Sequence, residues 1–239
     1  MAEIRRAMMG LILIFGTSYG QSAPAAPATG TSTPPAASPQ GRGSLKITVR
    51  MYNYGVARST LVQAEGKATA ILNQVGLNVA WVDCPATPAE FRSYPGCQGL
   101  LGTTDFALKI LTADEAEWFP SHHEALGRAL PCPPDQVGCS AYIFYRNVLE
   151  VAADGVADKS QVLGHAVVHE IGHLLLGPNS HTASGIMRGR WNKQDLETIA
   201  KGHLAFSEQQ SQRIREEIRK RSAVQQVQLD PSAGTWRVK

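Results

Sequence analysis

The sequence predicts a single α/β domain, and three stretches carry that expectation. Residues 45–51 alternate apolar and polar side chains; a helical pattern over 57–75 leads directly into a second extended run, Leu77-Asn78-Val79-Ala80-Trp81-Val82; and residues 162–176 form a helix that is apolar nearly all round. Strand, long helix and strand in succession make a right-handed crossover, and so a parallel strand pair. A helix without a polar face belongs in the middle of a domain, packed on every side. A chain of 239 residues has room for one domain with a sizeable core, or at most two small ones. Its net charge of +3, with no long basic run, gives no grounds for nucleic-acid binding.

The N-terminal stretch falls outside that domain. Arg5 and Arg6 form a positive start, Ala7 to Phe15 is apolar but for Gly10, and Ser18-Tyr19-Gly20 places small residues where a signal peptidase reads them. The apolar run is well short of the ~20 residues a spanning helix needs, so residues 1–20 are expected to be a cleaved export signal, with no stable membrane insertion afterwards. No cysteine stands near the cleavage point, which argues against a lipid-anchored product. Residues 21–43 consist almost entirely of Ala, Pro, Ser, Thr and Gly, have little to bury, and are expected to be a disordered spacer. The domain is expected over 44–222, followed by a tail without clear pattern over 223–239.

Within the domain, Leu45, Ile47, Val49 and Met51 share one face of the first strand. Along 57–75, Leu61, Val62, Ala68, Ile71, Leu72 and Val75 recur at three- and four-residue steps, and Gly76 is placed to end the helix. Residues 84–102 read as loop and 106–111 as a third strand. Thr112-x-x-Glu115 and Ser121-x-x-Glu124 both match a capping box, so two short helices are expected. His122 and His123 would open the second; neighbours on a helix point about 100° apart, no third ligand stands near them, and a solvated helix start is the expectation. Residues 141–145 are a fourth strand, 153–159 a polar turn, and the apolar helix starts near Ser160. Ser207-x-x-Gln210 opens a C-terminal helix over 207–222, with Ile214 and Ile218 on one side and a charge run (Arg213, Arg215, Glu216, Glu217, Arg219, Lys220) that reads most simply as a solvated face.

All four cysteines follow the export signal, so two disulfides are expected. Of the three connectivities, the local pairs Cys84–Cys97 and Cys132–Cys139 are favoured, because each closes a Pro- and Gly-containing loop with little secondary structure. No pair has the C-x-x-C spacing of a zinc finger.

The chemistry concentrates at His169-Glu170-Ile171-Gly172-His173, the H-E-x-x-H pattern of zinc hydrolases. Histidine and glutamate are costly in so apolar a helix unless something pairs with them. His169 and His173 stand one turn apart on one face, so both imidazoles reach a single ion, while Glu170 lies beside them, where it can take a proton from a water. Zinc accepts neutral imidazole at ~2.0–2.1 Å and, with three protein ligands, leaves one position for water. It would lower that water's pKa toward ~7 and polarise the carbonyl under attack. Three residues compete for the third ligand position. His165 continues the ladder, but lies eight residues from His173, roughly 12 Å along the axis, and is expected to be a supporting or packing histidine. Glu197 would complete the site as in thermolysin-like peptidases. His181 follows the helix stop Gly177-Pro178, after which the reversing chain can fold back onto the ion, and it is the expected third ligand.

The helix histidines, glycine turn, third histidine and nearby Ser184-Gly185-Ile186-Met187 together resemble the metzincin clan of zinc endopeptidases. The resemblance covers 45–222 loosely and 165–191 specifically. It implies an α/β (α+β) zincin fold: a twisted, mostly parallel sheet, a long first helix, a buried motif helix and a C-terminal helix. By resemblance His169, His173 and His181 are zinc ligands, Glu170 is the general base, and Met187 lies in a tight turn beneath the metal. The His173–His181 spacing is two residues longer than the clan's pattern, and no tyrosine follows Met187 closely.

The expectation is therefore a secreted or periplasmic zinc endopeptidase acting on peptides or proteins. Its rivals are a gluzincin-like peptidase using Glu197, and a non-catalytic exported binding protein on the same fold. Metzincins commonly take peptides in extended form along a sheet edge, which 106–111 or 141–145 is expected to supply. Residues 21–43 contain no cysteine that could block a zinc, which excludes a cysteine-switch pro-segment.

Overall fold

The computed structural model describes residues 45–120, 123, 125–133 and 135–229. The expected export signal and spacer lie outside the described residues, as do Ser121, His122 and Glu124 of the second capping box and the last part of the tail.

The chain is a mixed α/β domain. Strand β1 (Leu45–Asn53), helix α1 (Arg58–Val75) and strand β2 (Leu77–Cys84) form the expected crossover, with β1 and β2 parallel from Leu45↔Leu77 to Tyr52↔Cys84. Gly76 ends α1 at φ 90°, a conformation that only glycine takes without strain. Strand β3 (Asp105–Leu111) pairs parallel with β1; then come β4 (Gly127–Leu130) and β5 (Ser140–Phe144), giving the order β2-β1-β3-β5-β4. Every pairing is parallel except β4 with β5.

Two expectations change here. Strand β4 was not foreseen: four residues, Gly-Arg-Ala-Leu, are too short to show alternation, and pairing with β5 rather than local pattern fixes them. Residues 106–111 and 141–145, expected as sheet edges, lie inside the sheet; the edges are β2 and β4.

The helices follow a similar pattern of agreement and surprise. The Thr112–Glu115 capping box opens a single turn, α2 (Ala113–Ala116). Tyr145 opens α3 (Tyr145–Ala152) instead of closing β5. Helix α4 (Lys159–Leu176) carries the motif, and α5 (Lys193–Ala200) follows it, opened by a capping box, Asn192-x-x-Asp195. Helix α6 (Glu208–Leu229) runs beyond the expected end at 222, because no Gly or Pro stands between its start and Pro231. No helix among the described residues is long and apolar enough to cross a membrane.

One face of the sheet, with Ile47, Val49, Met51, Phe106, Leu108, Ile110, Ala141 and Ile143, joins α1, α4 and α6 in a single core. Helix α4 is buried along almost its whole length. It presses on α1 at Gly164, where a Cβ would sit 2.7 Å from the carbonyl oxygen of Ala64. Helix α6 closes the domain with Ile214 and Ile218, and its charges are not merely solvated. Arg213 donates to the carbonyl of Leu176 at 3.2 Å and Arg215 to that of Val75 at 3.2 Å, so each satisfies a carbonyl at a helix C-terminus. Arg221 is 1% exposed and donates to the carbonyls of Cys132 (2.8 Å) and Thr103 (3.3 Å) beside Glu217 (2.9 Å). Both favoured disulfides, Cys84–Cys97 and Cys132–Cys139, are formed.

Asp158 starts α4. Its side chain accepts from the N–H groups of Ser160 (2.8 Å) and Gln161 (3.0 Å), and Gln161 bonds back to the Asp158 N–H. Burial opposes its ionisation, but the bonds from the Ser160 hydroxyl and the two N–H groups outweigh it and hold the carboxyl below its usual range. With a depressed folded pKa, the stabilisation is complete above the unfolded value of about 3.9 and is lost as pH falls through the folded value. Asp158→Ala is expected to cost about 1 kcal/mol at neutral pH. In urea unfolding across pH, the gap to the wild type should close in acid; an undiminished gap there would place the effect elsewhere.

Candidate metal centre

Helix α4 sets His169 and His173 one turn apart, and the chain then reverses at Gly177 (φ 95°), whose N–H closes the helix on the His173 carbonyl at 3.0 Å. Ser180 Oγ donates to the Gly177 carbonyl at 2.7 Å and lies 3.0 Å from His173 Nδ1, tightening the loop that returns His181. His173 Nε2 is 3.1 Å from His169 Nε2 and 3.0 Å from His181 Nε2. The longer His173–His181 spacing is thus absorbed in the 177–181 turn. Among the described residues these three histidines are the group whose ligating atoms converge, all within 4.8 Å.

The other ring nitrogens show what that convergence demands. His169 Nδ1 is 2.7 Å from the Ile186 carbonyl and His173 Nδ1 is 3.3 Å from the Gly177 carbonyl. A carbonyl only accepts, so each Nδ1 carries the proton and each Nε2 turns a bare lone pair toward the others. Facing lone pairs at such distances repel; a cation between them reverses the sign. Nitrogens on a tetrahedral zinc stand ~3.3 Å apart, given bonds of 2.0–2.1 Å. Burial pushes His169 down to about 4, aided by the neighbouring His173 and His181 and opposed by the bond to Ile186, and burial also lowers His173. His169 and His173 are thereby kept neutral, and a donor set of three imidazoles fits zinc.

Glu170 is 5% exposed, on the same helix. Burial raises its carboxyl to about 8, against the opposing bond from the backbone N–H of Ala129. The antiparallel ladder explains that bond. Phe144 N–H bonds Leu126 O at 2.9 Å, so alternation turns the backbone groups of Gly127 and Ala129 toward the free edge of β4. Gly127 is required there: a Cβ would come within 2.5 Å of the Tyr142 carbonyl and 2.7 Å of Glu170 Cγ. The histidines, Glu170, β4, α3 and the 188–191 segment enclose a cavity of about 560 Å³.

Below the histidines, Gly185 (φ 79°) turns the chain so that Ile186 O meets His169. Met187 is fully buried against Gly172, where a Cβ would stand 2.5 Å from Met187 Sδ and 2.9 Å from Phe206. Trp191 donates to the same Ile186 carbonyl at 3.3 Å and stands edge-on to His169.

His165 lies outside the convergent group; it bonds the Gln161 carbonyl at 2.7 Å and packs edge-on to Trp191. Glu197 is exposed on α5 and His123 lines the cavity rim, and neither belongs to the group. Ser180, Trp191, Gly127 and Ala129 were not singled out in the sequence. Ser180 was nearest to legible, within a turn already expected to fold back.

Gly172→Ala tests the packing under the site. Helix propensity alone would favour alanine by about 1 kcal/mol, but the clash with enclosed neighbours costs about 1–3 kcal/mol. Net destabilisation is expected in thermal unfolding, and a gain in stability would show that Met187 and Phe206 yield freely.

No family profile and no curated protein matches the sequence. Among solved structures, the chain is similar to archaemetzincin from Methanopyrus kandleri, at 14% identity over 75% of this chain and 98% of that one, with a TM-score of 0.47. It is also similar to the protein TM1509 from Thermotoga maritima, at 13% identity over 80% of this chain and 99% of that one, with a TM-score of 0.34.

Proposed function

We propose that the chain is a zinc-dependent endopeptidase, exported to an oxidising compartment. The observation that carries the reading is the meeting of three imidazole Nε2 atoms, two of which have their Nδ1 protons committed to backbone carbonyls. His169, His173 and His181 hold the ion. Bound zinc supplies Lewis acidity, which acidifies a water and polarises a peptide carbonyl.

The remaining chemistry belongs to the chain. Glu170 takes a proton from the attacking water and delivers it to the departing amine. Alone in its buried site its carboxyl holds a proton up to about pH 8; a cation on the three imidazoles favours the carboxylate. The Ala129 N–H fixes its orientation. A peptide substrate lies extended along the free edge of β4 and pairs with the outward N–H and C=O of Gly127 and the carbonyl of Ala129, the Ala129 N–H being held by Glu170. Trp191 and Val151 supply apolar wall to the cavity beside it. The two disulfides are compatible with an extracellular location.

Metal analysis of the purified chain should find one zinc per molecule. His181→Ala should lose it while Glu197→Ala retains it; the reverse would overturn the ligand assignment. Glu170→Gln should keep the metal and lose casein or labelled-peptide cleavage by about 10²–10⁴-fold. A wild-type chain that holds zinc and cleaves no peptide would favour a binding protein instead.

A further inference from the structure

The sheet has a second face, and among the described residues its cover is incomplete. Parallel sheets are almost always covered on both sides, because their strands bury side chains on both faces. Here the helices of the core cover one side. Over part of the other, the loop after β2 is drawn down by Arg50, which donates to the carbonyls of Cys97 (3.2 Å), Gly99 (2.9 Å) and Leu100 (3.3 Å). Further across, Phe119 packs on Tyr142 with ring centroids 4.6 Å apart. Between these covers lies a hollow of about 630 Å³ that shares no lining residue with the metal-centre cavity.

Its chemistry is specific. Tyr52, Tyr54 and Phe91 supply aromatic surface, Pro85 and Pro88 a rigid wall, and Lys109 is the one charged residue in the lining. Lys109 is the register partner of Tyr52 on one side and Tyr142 on the other, and its ammonium stands 6.0 Å and 5.5 Å from their ring centroids. The rings hold the cation in place by its attraction to their faces. No carboxylate pairs with it among the described residues: Glu115, whose charge is felt at Tyr54, is engaged by the N–H (2.8 Å) and hydroxyl of Thr112. Both walls are cross-linked. Pro85 to Phe91 lie inside the loop closed by Cys84–Cys97, and Gly138 inside that closed by Cys132–Cys139. Loops fixed in advance lose little freedom when a ligand enters.

We propose that this hollow is a second binding site, for a small organic carboxylate with an aromatic body. The flat body stacks among Tyr52, Tyr54 and Phe91, and its carboxylate pairs with the Lys109 ammonium. The lining is mixed, with Thr87 and Ser140 beside the aromatic and proline surface and one orienting charge, and the volume falls in the usual range of about 300–1,000 Å³ for a small-molecule site.

The probe is benzoate, titrated into the full chain with its disulfides intact and followed by NMR at the Tyr52 and Tyr54 rings. Saturable shifts are expected, with neutral benzamide binding at least about tenfold more weakly, as loss of one charge pair implies. Lys109→Met should abolish the difference between the two probes, and Lys109→Arg should preserve it. Phe91→Ala, at a half-buried position in the 3₁₀ turn Pro88–Ser93, should weaken benzoate several-fold without touching the charge. Because a carboxylate also has affinity for zinc, the titration is repeated on His173→Ala, where the tyrosine shifts should persist. Non-saturating shifts, equal affinity for benzoate and benzamide in the wild type, or loss of the shifts in His173→Ala would each overturn the proposal. The outcome is independent of whether the chain cleaves peptides.

Discussion

Enclosing α4 on every side is the constraint from which the rest of the structure follows. Apolar residues around its circumference draw α1, α6, the sheet and the 186–206 segment onto it, and the polar groups of the site carried inward are met by partners, whereas His165 Nε2 on the same helix is buried without one. His169 meets the Ile186 carbonyl, His173 the Gly177 carbonyl, and Glu170 the Ala129 N–H. Each of those partners is a backbone group in a loop or edge strand, so the interior helix dictates where its surroundings run. Glycines mark the closest approaches: Gly164 against α1, Gly172 against Met187 and Gly127 against Glu170.

Helix α6 shows how remote elements are enlisted by the same requirement. Burying α1 and α4 leaves carbonyls at their C-termini without helical partners. Arg213 and Arg215 reach Leu176 and Val75 from a neighbouring element, while Arg221 spans the Thr103 loop and the disulfide loop from within the core. A segment whose composition reads as a solvated charge run is thus a set of caps for other helices.

Much of this was legible in the sequence, and the limits have physical causes. The β1–α1–β2 crossover, the Gly76 and Gly177 stops, both disulfide pairs and the start of α4 near Ser160 announce themselves through local periodicity, turn chemistry and cysteine spacing. Two histidines one turn apart on a buried helix were enough to single out the site, and the return of His181 follows from the Gly-Pro stop. Strand β4 left no trace, because four residues carry no period and their conformation is imposed by β5. Helix α3 is hidden by a run of aromatic and β-branched residues, Tyr142-Ile143-Phe144-Tyr145, that suits a strand equally well. The N–H of Ala129, the carbonyl of Ile186 and the indole of Trp191 reach the site by tertiary folding, and two of those three are backbone groups that no residue type advertises.

The bond between Glu170 and Ala129 also bears on how the molecule behaves among copies of itself. A strand at the margin of a sheet offers unpaired backbone groups on which a neighbouring chain can template growth, and folds guard such margins with short strands and charge. Strand β4 is four residues long, and one of its outward amides is already occupied by a side chain of its own interior helix. That margin is therefore too short and too partly filled to seed a continuous ribbon. Resistance to pairing with a second chain at this margin is built into the same four residues.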